Sequence, residues 1–236
     1  MHKSGTASLA DKGKEFSVNL FEIRLECGII FVKYATKTER THSVRRKEGK
    51  TDMKYASNNI RNILIAGHAG SGKTTLTEAL VYFSGAAERM GRVEDGTTIS
   101  DFDPEEAKRK ASLSASVVPV EYEGIKYNLI DAPGLFDFEA GEYEGIRAAE
   151  SVLVVVSGRS GVTVGAEKAF QLARKNGKAT MVFVSKCDLE NANYFKILED
   201  MKIKFGSTVC PCVVPAKLDD GTPCLLYTSP SPRDRG

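Results

Sequence analysis

The stretch Gly67-His68-Ala69-Gly70-Ser71-Gly72-Lys73-Thr74 decides the fold of this chain. It follows an apolar run that ends at Ala66 and precedes a helical pattern that begins near Thr75. A strand, a glycine-rich loop and a helix in this order match a phosphate-binding P-loop. The glycines leave room for backbone N–H groups to surround a phosphate, and the helix N-terminus adds partial positive charge.

The last residues of this loop have defined chemical roles in a P-loop. We expect Lys73 to reach the β- and γ-phosphates of a nucleoside triphosphate, and the Thr74 hydroxyl to bind Mg²⁺. Thr75 completes the stretch that would contact the nucleotide. A chance glycine-rich turn is the alternative, and the flanking strand and helix argue against it.

Composition and charge fit a globular domain. Hydrophobic residues make up 42% of the chain, which is enough for a core. Residues 1–52 hold 11 Lys and Arg against 7 Asp and Glu, whereas residues 53–223 hold 20 against 23. The P-loop segment is therefore no polycation, and its charge gives little support for direct DNA binding.

Hydropathy and cysteine usage point to the cytoplasm. No apolar run reaches the roughly 18 residues of a membrane span, and we recognise no signal peptide. Of the five cysteines, the pair in Cys210-Pro211-Cys212 lacks the two-residue gap and the second ligand pair of a zinc site. We expect incidental thiols in a reducing compartment, and a protein without membrane contact.

Strands and helices alternate from Arg61 onward. The patterns predict strands at 62–66, 117–121, 126–130, 152–156 and 180–184, and helices at 74–84, 143–149, 166–176 and 193–205. This alternation predicts an α/β fold, with a mostly parallel sheet and helices on both faces. The polar stretch 85–110 has no clear apolar period and is predicted to be a functional or mobile loop.

We divide the chain into three parts. Residues 53–223 carry the regular pattern, and Met53 is a natural start just before it. Residues 1–52 are predicted to be a non-native or disordered extension, with a basic arm or a targeting sequence as alternatives. Residues 224–236 resemble a translated sequencing adapter and are predicted to be an artefactual or disordered tail, with a flexible Ser/Pro-rich tail as the alternative.

A second motif, Asp131-Ala132-Pro133-Gly134, follows the strand predicted at 126–130. Ligands of α/β sheets bind outside the carboxyl ends of the strands, so Asp131 is placed to hold Mg²⁺ through water. The Gly134 N–H can bond a γ-phosphate and sense its loss. Alone this motif is a common turn, but in the strand after a P-loop it indicates a nucleotide switch.

A third motif, Ser185-Lys186-Cys187-Asp188, matches the guanine-reading pattern N-K-x-D except at its first residue. The Asp188 carboxylate can accept hydrogen bonds from guanine N1–H and the exocyclic amine. Adenine offers neither donor, which would leave a buried carboxylate unpaired. The Lys186 stem can lie over the base plane. The three motifs in this order favour GTP over ATP.

A hydroxyl from the stretch 85–112 is expected to complete the Mg²⁺ site once GTP is bound. Ser112 is our candidate, because it ends the stretch that would act as the first switch. Ser114 and Thr97 are alternatives, and an ordinary loop serine is another.

With these motifs in place, the sequence from Met53 to about Gly221 resembles the GTP-binding domain of translation elongation factor G. It is closest to the branch of elongation-factor-G-like paralogues. The resemblance is carried by residues 67–75 (GHAGSGKTT), 131–138 (DAPGLFDF), 152–161 (VLVVVSGRSG) and 184–189 (VSKCDL). It implies a P-loop GTPase fold, here incomplete at its C-terminus, and GTP or GDP with Mg²⁺. It also implies a ribosome partner through the full-length protein, and we expect a monomer.

Three positions depart from the main branch of that family. Leu135 stands where the main branch has the histidine that orients the attacking water, so only Lys73 and Gly134 keep their implied catalytic roles. Ser185 replaces asparagine and should brace the base pocket less well. Gly70 replaces an aspartate, so a monovalent-cation site is not expected.

We therefore predict GTP binding with slow hydrolysis unless it is stimulated. The alternative is a nucleotide-binding regulatory module, or a ribosomal protection protein, with little intrinsic GTPase activity.

Overall fold

Alternating apolar strands and amphipathic helices form the framework that holds the glycine-rich loop. The computed structural model describes residues 30–34, 55–189, 192–207, 209–217 and 223–227. The strands are β1 (Ile30–Tyr34), β2 (Ile60–Ala66), β3 (Ser116–Tyr122), β4 (Ile125–Asp131), β5 (Ser151–Ser157), β6 (Ala179–Ser185), β7 (Cys210–Pro211), β8 (Val213–Lys217) and β9 (Pro223–Tyr227). The helices are α1 (Lys73–Phe83), α2 (Pro104–Arg109), α3 (Glu139–Ala148), α4 (Val164–Lys175) and α5 (Tyr194–Phe205).

One seven-stranded sheet has the order β3-β4-β2-β5-β6-β1-β7. Its central strands are parallel, since β2 pairs in parallel with both β4 and β5, and β5 with β6. The chain turns at Glu123 and Gly124, so that β4 pairs antiparallel with β3. The φ angles of these two residues, 49° and 77°, suit a tight hairpin turn. The predicted α/β fold with a mostly parallel sheet is confirmed.

Both faces of the sheet are covered, because successive side chains of each strand point to opposite sides. On one face, Leu64 and its neighbours pack against residues of α3, α4 and α5 such as Ile146 and Phe170. On the other face, Ile65 packs in a cluster with Leu76 and Val81 of α1. The prediction of helices on both faces is therefore correct.

Helix α2 lies inside the stretch that was predicted to be a loop. Asp103 is its N-cap and accepts from the Glu105 N–H at 2.8 Å, while the Asp103 N–H donates back to the Glu106 carboxylate at 3.3 Å. The signal was present as a capping box with proline at the first helical position. The absence of an apolar period in this stretch predicted a loop, whereas the residues that cap the helix determine where it begins.

Two strands come from segments that were expected to lie outside the domain. β1 pairs antiparallel with β6, from Ile30 opposite Val184 to Tyr34 opposite Thr180, and β9 pairs with β8. The edges of β6 and β8 offer backbone groups that these neighbouring strands satisfy. Residues 1–29, 35–54 and 228–236 lie outside the described residues. The three-part division and the incomplete sheet stay predictions.

We expect Phe170→Ala to destabilise the domain strongly. Phe170 and Phe205 are each 1% exposed and stack with ring centroids 4.2 Å apart, which ties α4 to α5. Removing a buried phenyl ring leaves a cavity, and the free energy of unfolding should fall by about 3–5 kcal/mol. Urea unfolding of the full chain measures this change. Phe195→Ala is the matched control, because Phe195 is 73% exposed, and an equal loss in both variants would contradict the expectation.

Candidate functional site

The glycine-rich loop connects the end of β2 to the start of α1. Gly67, Gly70 and Gly72 have φ angles of 140°, 72° and 95°, which side chains rarely adopt. A Cβ on Gly67 would also lie 2.5 Å from the Val155 carbonyl oxygen. Gly72 is the N-cap of α1 and supplies no side-chain cap. No side-chain cap therefore occupies the first N–H groups of α1, which is the arrangement that a phosphate site at a helix N-terminus needs.

Lys73 is buried beneath this loop, with 6% of its surface exposed. Its Nζ donates to the His68 carbonyl oxygen at 3.0 Å. Burial lowers the pKa of Lys73, while the charges of Asp131, Glu142 and Asp101 act to raise it. A phosphate oxygen is a stronger acceptor for this ammonium group than a carbonyl oxygen.

The three predicted metal ligands come together in one hydrogen-bond network. Thr74 Oγ1 donates to Asp131 Oδ2 at 2.8 Å and lies 3.3 Å from Ser112 Oγ. Asp131 is 1% exposed, and its Oδ1 atom makes no hydrogen bond of normal length with any described residue, although the neighbouring Ser100 hydroxyl acts to lower the pKa of this carboxyl. Burial raises the pKa of Asp131 to about 6, against the opposing effect of Lys73.

This set of oxygens fits Mg²⁺. Mg²⁺ binds hard oxygen ligands and usually needs only one or two protein groups besides water and substrate phosphates. The unpartnered Asp131 Oδ1 is a buried acceptor of the kind that such a site requires. Within the described residues, no group of three or more His, Cys, Asp or Glu side chains could hold a metal by itself. The Thr74 hydroxyl, which contacts Asp131, and the Ser112 hydroxyl, which lies beside Thr74, are the other oxygens available for such a site.

Asp101 belongs to the same network, although the sequence analysis did not select it. Ser112 Oγ donates to Asp101 Oδ1 at 2.7 Å, and Asp101 is 6% exposed. Burial raises the pKa of Asp101, and the hydrogen bond from Ser112 lowers it. No motif or spacing in the sequence marks Asp101, since it lies in the polar stretch without a period.

Two buried glutamates give the first-switch stretch its shape. Glu78, in α1, accepts hydrogen bonds from the Gly91 and Ile99 N–H groups at 3.2 and 2.6 Å. Glu106, in α2, accepts from the Leu113 and Ser114 N–H groups at 2.8 and 3.1 Å. Each glutamate is 1% exposed. Carboxylates thus replace the backbone pairing that this stretch lacks, and Glu106 fixes the residues that follow Ser112.

The second motif closes against the P-loop. The Ala69 N–H donates to the Gly134 carbonyl oxygen at 3.0 Å, and a Cβ on Gly134 would lie 2.6 Å from that nitrogen and overlap Lys73 Nζ. Ala132 is fully buried in the core. Leu135 is 39% exposed and lines the pocket described below, and it presents no polar side-chain atom there.

The third motif contacts the P-loop from β6. Ser185 Oγ donates to the Ser71 carbonyl oxygen at 2.6 Å, and Lys186 Nζ donates to the Gly70 carbonyl oxygen at 2.8 Å. Lys186 has a φ of 55°. Ser185 therefore does connect this turn to the loop, and the weaker bracing expected of serine stays a prediction. Asp188 is exposed and does not line the pocket.

Most of these residues border one pocket of about 290 Å³. Its lining includes Lys73, Thr74, Ser112, Gly134, Leu135 and Lys186. Nine of the predicted residues do not line it: Gly67, His68, Ser71, Asp131, Ala132, Pro133, Ser185, Cys187 and Asp188. His68 packs edge-on against Phe136 with ring centroids 6.2 Å apart, Pro133 lies against Gly141, and the Cys187 thiol points back to the Val184 carbonyl oxygen at 3.6 Å. The pocket thus gathers Lys73, Thr74 and Ser112, and Asp131 is joined to it through its hydrogen bond with Thr74. Asp188, which is predicted to read the base, lies outside the pocket.

Comparisons with known proteins agree with these motifs. The family model described as the elongation factor Tu GTP binding domain matches residues 58–226. An elongation factor G-like protein of Mycobacterium tuberculosis is 36% identical over 157 residues, which are 66% of this chain and 22% of that protein. A mitochondrial ribosome-releasing factor 2 of Drosophila ananassae is 31% identical over 183 residues, which are 78% of this chain and 25% of that protein.

A solved structure shares the fold. A crystal structure of a protein from Thermus thermophilus superposes on this chain with a TM-score of 0.66 at 40% identity. The aligned region covers 71% of this chain and 25% of that protein. The chain therefore spans about a quarter of the length of the proteins it matches. The resemblance that the motifs indicated is confirmed.

We expect Glu106→Ala to loosen the residues around Ser112 and to weaken Mg²⁺-dependent GTP binding, although Glu106 does not line the pocket. The substitution leaves the Leu113 and Ser114 N–H groups without their acceptor, which should lower the free energy of unfolding by about 1–3 kcal/mol. Hydrogen exchange at residues 112–114 and GTP affinity with and without Mg²⁺ measure both effects. Glu105→Ala is the control, since the Glu105 side chain is 44% exposed and its carboxylate pairs with Arg109 at the surface. Unchanged exchange in Glu106→Ala would contradict this role.

Proposed function

This chain belongs to the elongation factor Tu GTP-binding domain family, and we propose that it binds GTP with Mg²⁺ in the P-loop pocket. We propose further that it hydrolyses GTP slowly unless a partner stimulates it. One observation carries the proposal: Thr74, Ser112 and Asp131, from three separate segments, share one hydrogen-bond network beside Lys73. A loop that bound phosphate without a metal would not need this set of oxygens.

Each residue has a role that follows from its contacts. Lys73 would exchange the His68 carbonyl oxygen for phosphate oxygens, and the Gly134 N–H would bond the terminal phosphate. Thr74, Ser112 and Asp131 would hold Mg²⁺, which when bound supplies positive charge that offsets the negative charge of the phosphates. Asp101 would orient Ser112 through the hydrogen bond that it accepts.

We expect the full chain to bind GTP more tightly than ATP, and Asp188→Asn to weaken GTP binding while improving the binding of xanthosine triphosphate. The variant amide presents an N–H donor where guanine also has a donor, whereas xanthine has an acceptor there. Competition among the three nucleotides against a fluorescent GTP analogue measures the change. A preference for ATP in the wild-type chain would refute the proposed function, and an unchanged preference in the variant would refute Asp188 as the base reader.

We expect Leu135→His to accelerate GTP hydrolysis without tightening GTP binding. Leu135 lines the pocket but offers no donor or acceptor for water, and a positioned acid–base group typically contributes roughly 10²–10⁴-fold. Single-turnover hydrolysis by the full chain measures the rate. Leu135→Ala is the control, because it removes the leucine side chain without adding a polar group. Fast hydrolysis by the wild-type chain would refute the proposal of slow turnover.

A second candidate function is a nucleotide-binding regulatory module, or a ribosomal protection protein, with little intrinsic GTPase activity. Leu135 favours this second function, because it stands where the family resemblance implies a histidine that orients the attacking water. Phosphate release stimulated by ribosomes favours the elongation-factor-G-like GTPase, and its absence favours the module.

The ribosome is the partner we propose for the longer protein, because two of the relatives are named as an elongation factor G-like protein and a ribosome-releasing factor. We propose a cytoplasmic monomer that contacts neither DNA nor membranes. None of the helices in the described part of the chain has the length and apolarity that a bilayer crossing requires.

A further inference from the structure

A half-buried glutamate on α3, Glu142, lies within electrostatic reach of the P-loop lysine, and one of its carboxylate oxygens has no hydrogen-bond partner among the described residues. Glu142 Oε1 is inaccessible to solvent, and no donor among the described residues bonds it. The charged groups that act on Glu142 are Lys73 of α1, Glu139 of its own helix and Lys168 of α4. Lys168 is already paired with Glu139 at 2.8 Å. Lys73 is therefore the cation at the P-loop whose positive charge Glu142, when ionised, partly offsets.

Tight packing holds α3 close to the nucleotide motifs. A Cβ on Gly141 would lie 2.9 Å from Pro133 Cδ and 3.3 Å from the Ala115 nitrogen. One turn further, a Cβ on Gly145 would lie 2.6 Å from Leu64 Cδ1. The helix backbone thus touches the D-x-x-G motif and β2 directly, and the position of Glu142 relative to the P-loop is fixed by this packing.

The charges of Glu142 and Lys73 depend on each other. Burial raises the pKa of Glu142 to about 7, although Lys73 acts to lower it. When Glu142 is ionised, its negative charge offsets part of the positive charge that Lys73 can offer to a phosphate. When Glu142 is protonated, Asp131 and Asp101 are the carboxylates of the described residues that still oppose the charge of Lys73.

We propose that Glu142 is a specificity-determining residue that, when ionised, weakens GTP binding more than GDP binding, and that protonation removes this effect. The inference rests on the proposed function, since it requires GTP at the P-loop. The γ-phosphate brings additional negative charge next to Lys73, so an ionised carboxylate repels GTP more strongly than GDP. By linkage, bound GTP favours the protonated carboxyl, and GTP binding takes up protons where Glu142 is otherwise ionised.

The test compares the wild-type chain with Glu142→Gln, which keeps the shape of the side chain and removes its charge. Dissociation constants for GTP and GDP are measured with Mg²⁺ at pH 6 and pH 8. The ratio of the wild-type constant to the variant constant cancels the titration of the nucleotide and of the other groups of the site. For GTP we expect a ratio near one at pH 6 that rises to roughly three- to tenfold at pH 8, with a smaller rise for GDP.

Glu144→Gln is the matched control, because Glu144 is an exposed residue of the same helix. Its ratio should stay near one at both pH values. A GTP ratio for Glu142→Gln that does not change between pH 6 and pH 8, or that equals the ratio for Glu144→Gln, would overturn the role of Glu142 while GTP binding itself stands. If the wild-type chain binds no GTP at either pH, the proposed function fails and this inference fails with it.

A second measurement uses the wild-type chain alone and does not depend on how the variant folds. Calorimetry at pH 8 in two buffers of different ionisation enthalpy gives the number of protons taken up with GTP. We expect proton uptake with GTP, less with GDP and less still in Glu142→Gln. Equal uptake with GTP and GDP in the wild-type chain would overturn the inference.

Discussion

The hydrogen bond from Thr74 to Asp131 joins the two segments on which the site depends. Thr74 stands in the first turn of α1, and Asp131 is the last residue of β4. The register of the sheet sets Asp131 opposite Ile65, one residue before β2 ends. Because parallel strands end at the same edge, the P-loop and the D-x-x-G motif leave the sheet together. The pairing of two central strands thus determines which side chains meet at the phosphate.

Burial makes this arrangement unfavourable without a ligand. Asp131, Asp101 and Glu142 all have pKa values raised by burial, and the pKa of Lys73 is lowered for the same reason. Raised acid pKa values mean that the folded chain binds these protons more tightly than the unfolded chain, so this contribution to stability falls as the pH rises through the raised values. The two apolar clusters on the faces of the sheet must offset that cost. The site therefore gains most from ligands that carry both charges, a cation for the carboxylates and an anion for the lysine.

The features of this structure that depend on local sequence patterns could be predicted from the sequence. The P-loop, the sheet and the Thr74–Ser112–Asp131 set follow from motif spacing and from apolar periods. Glu78 and Glu106 could not be found in this way, because each acts on backbone groups of an irregular stretch, and Glu78 reaches as far as 21 positions along the chain. Such contacts depend on the path of the stretch in space, which no residue pattern records. Glu142 was missed for a related reason, since its role comes from how α3 packs.

Leu135 and Glu142 act on different steps of a nucleotide cycle. Leu135 is 39% exposed at the pocket and has no polar atom, so it bears on the orientation of water and not on how tightly the phosphates are held. Glu142 is half-buried and is proposed to act through the charge of Lys73, so it bears on affinity and not on the attacking water. A domain that hydrolyses GTP slowly leaves the GTP-bound state largely by dissociation. In such a domain, the lifetime of that state follows the groups that set affinity, and a proton-sensitive carboxylate near the P-loop lysine would then control the switch more than the residue next to the water.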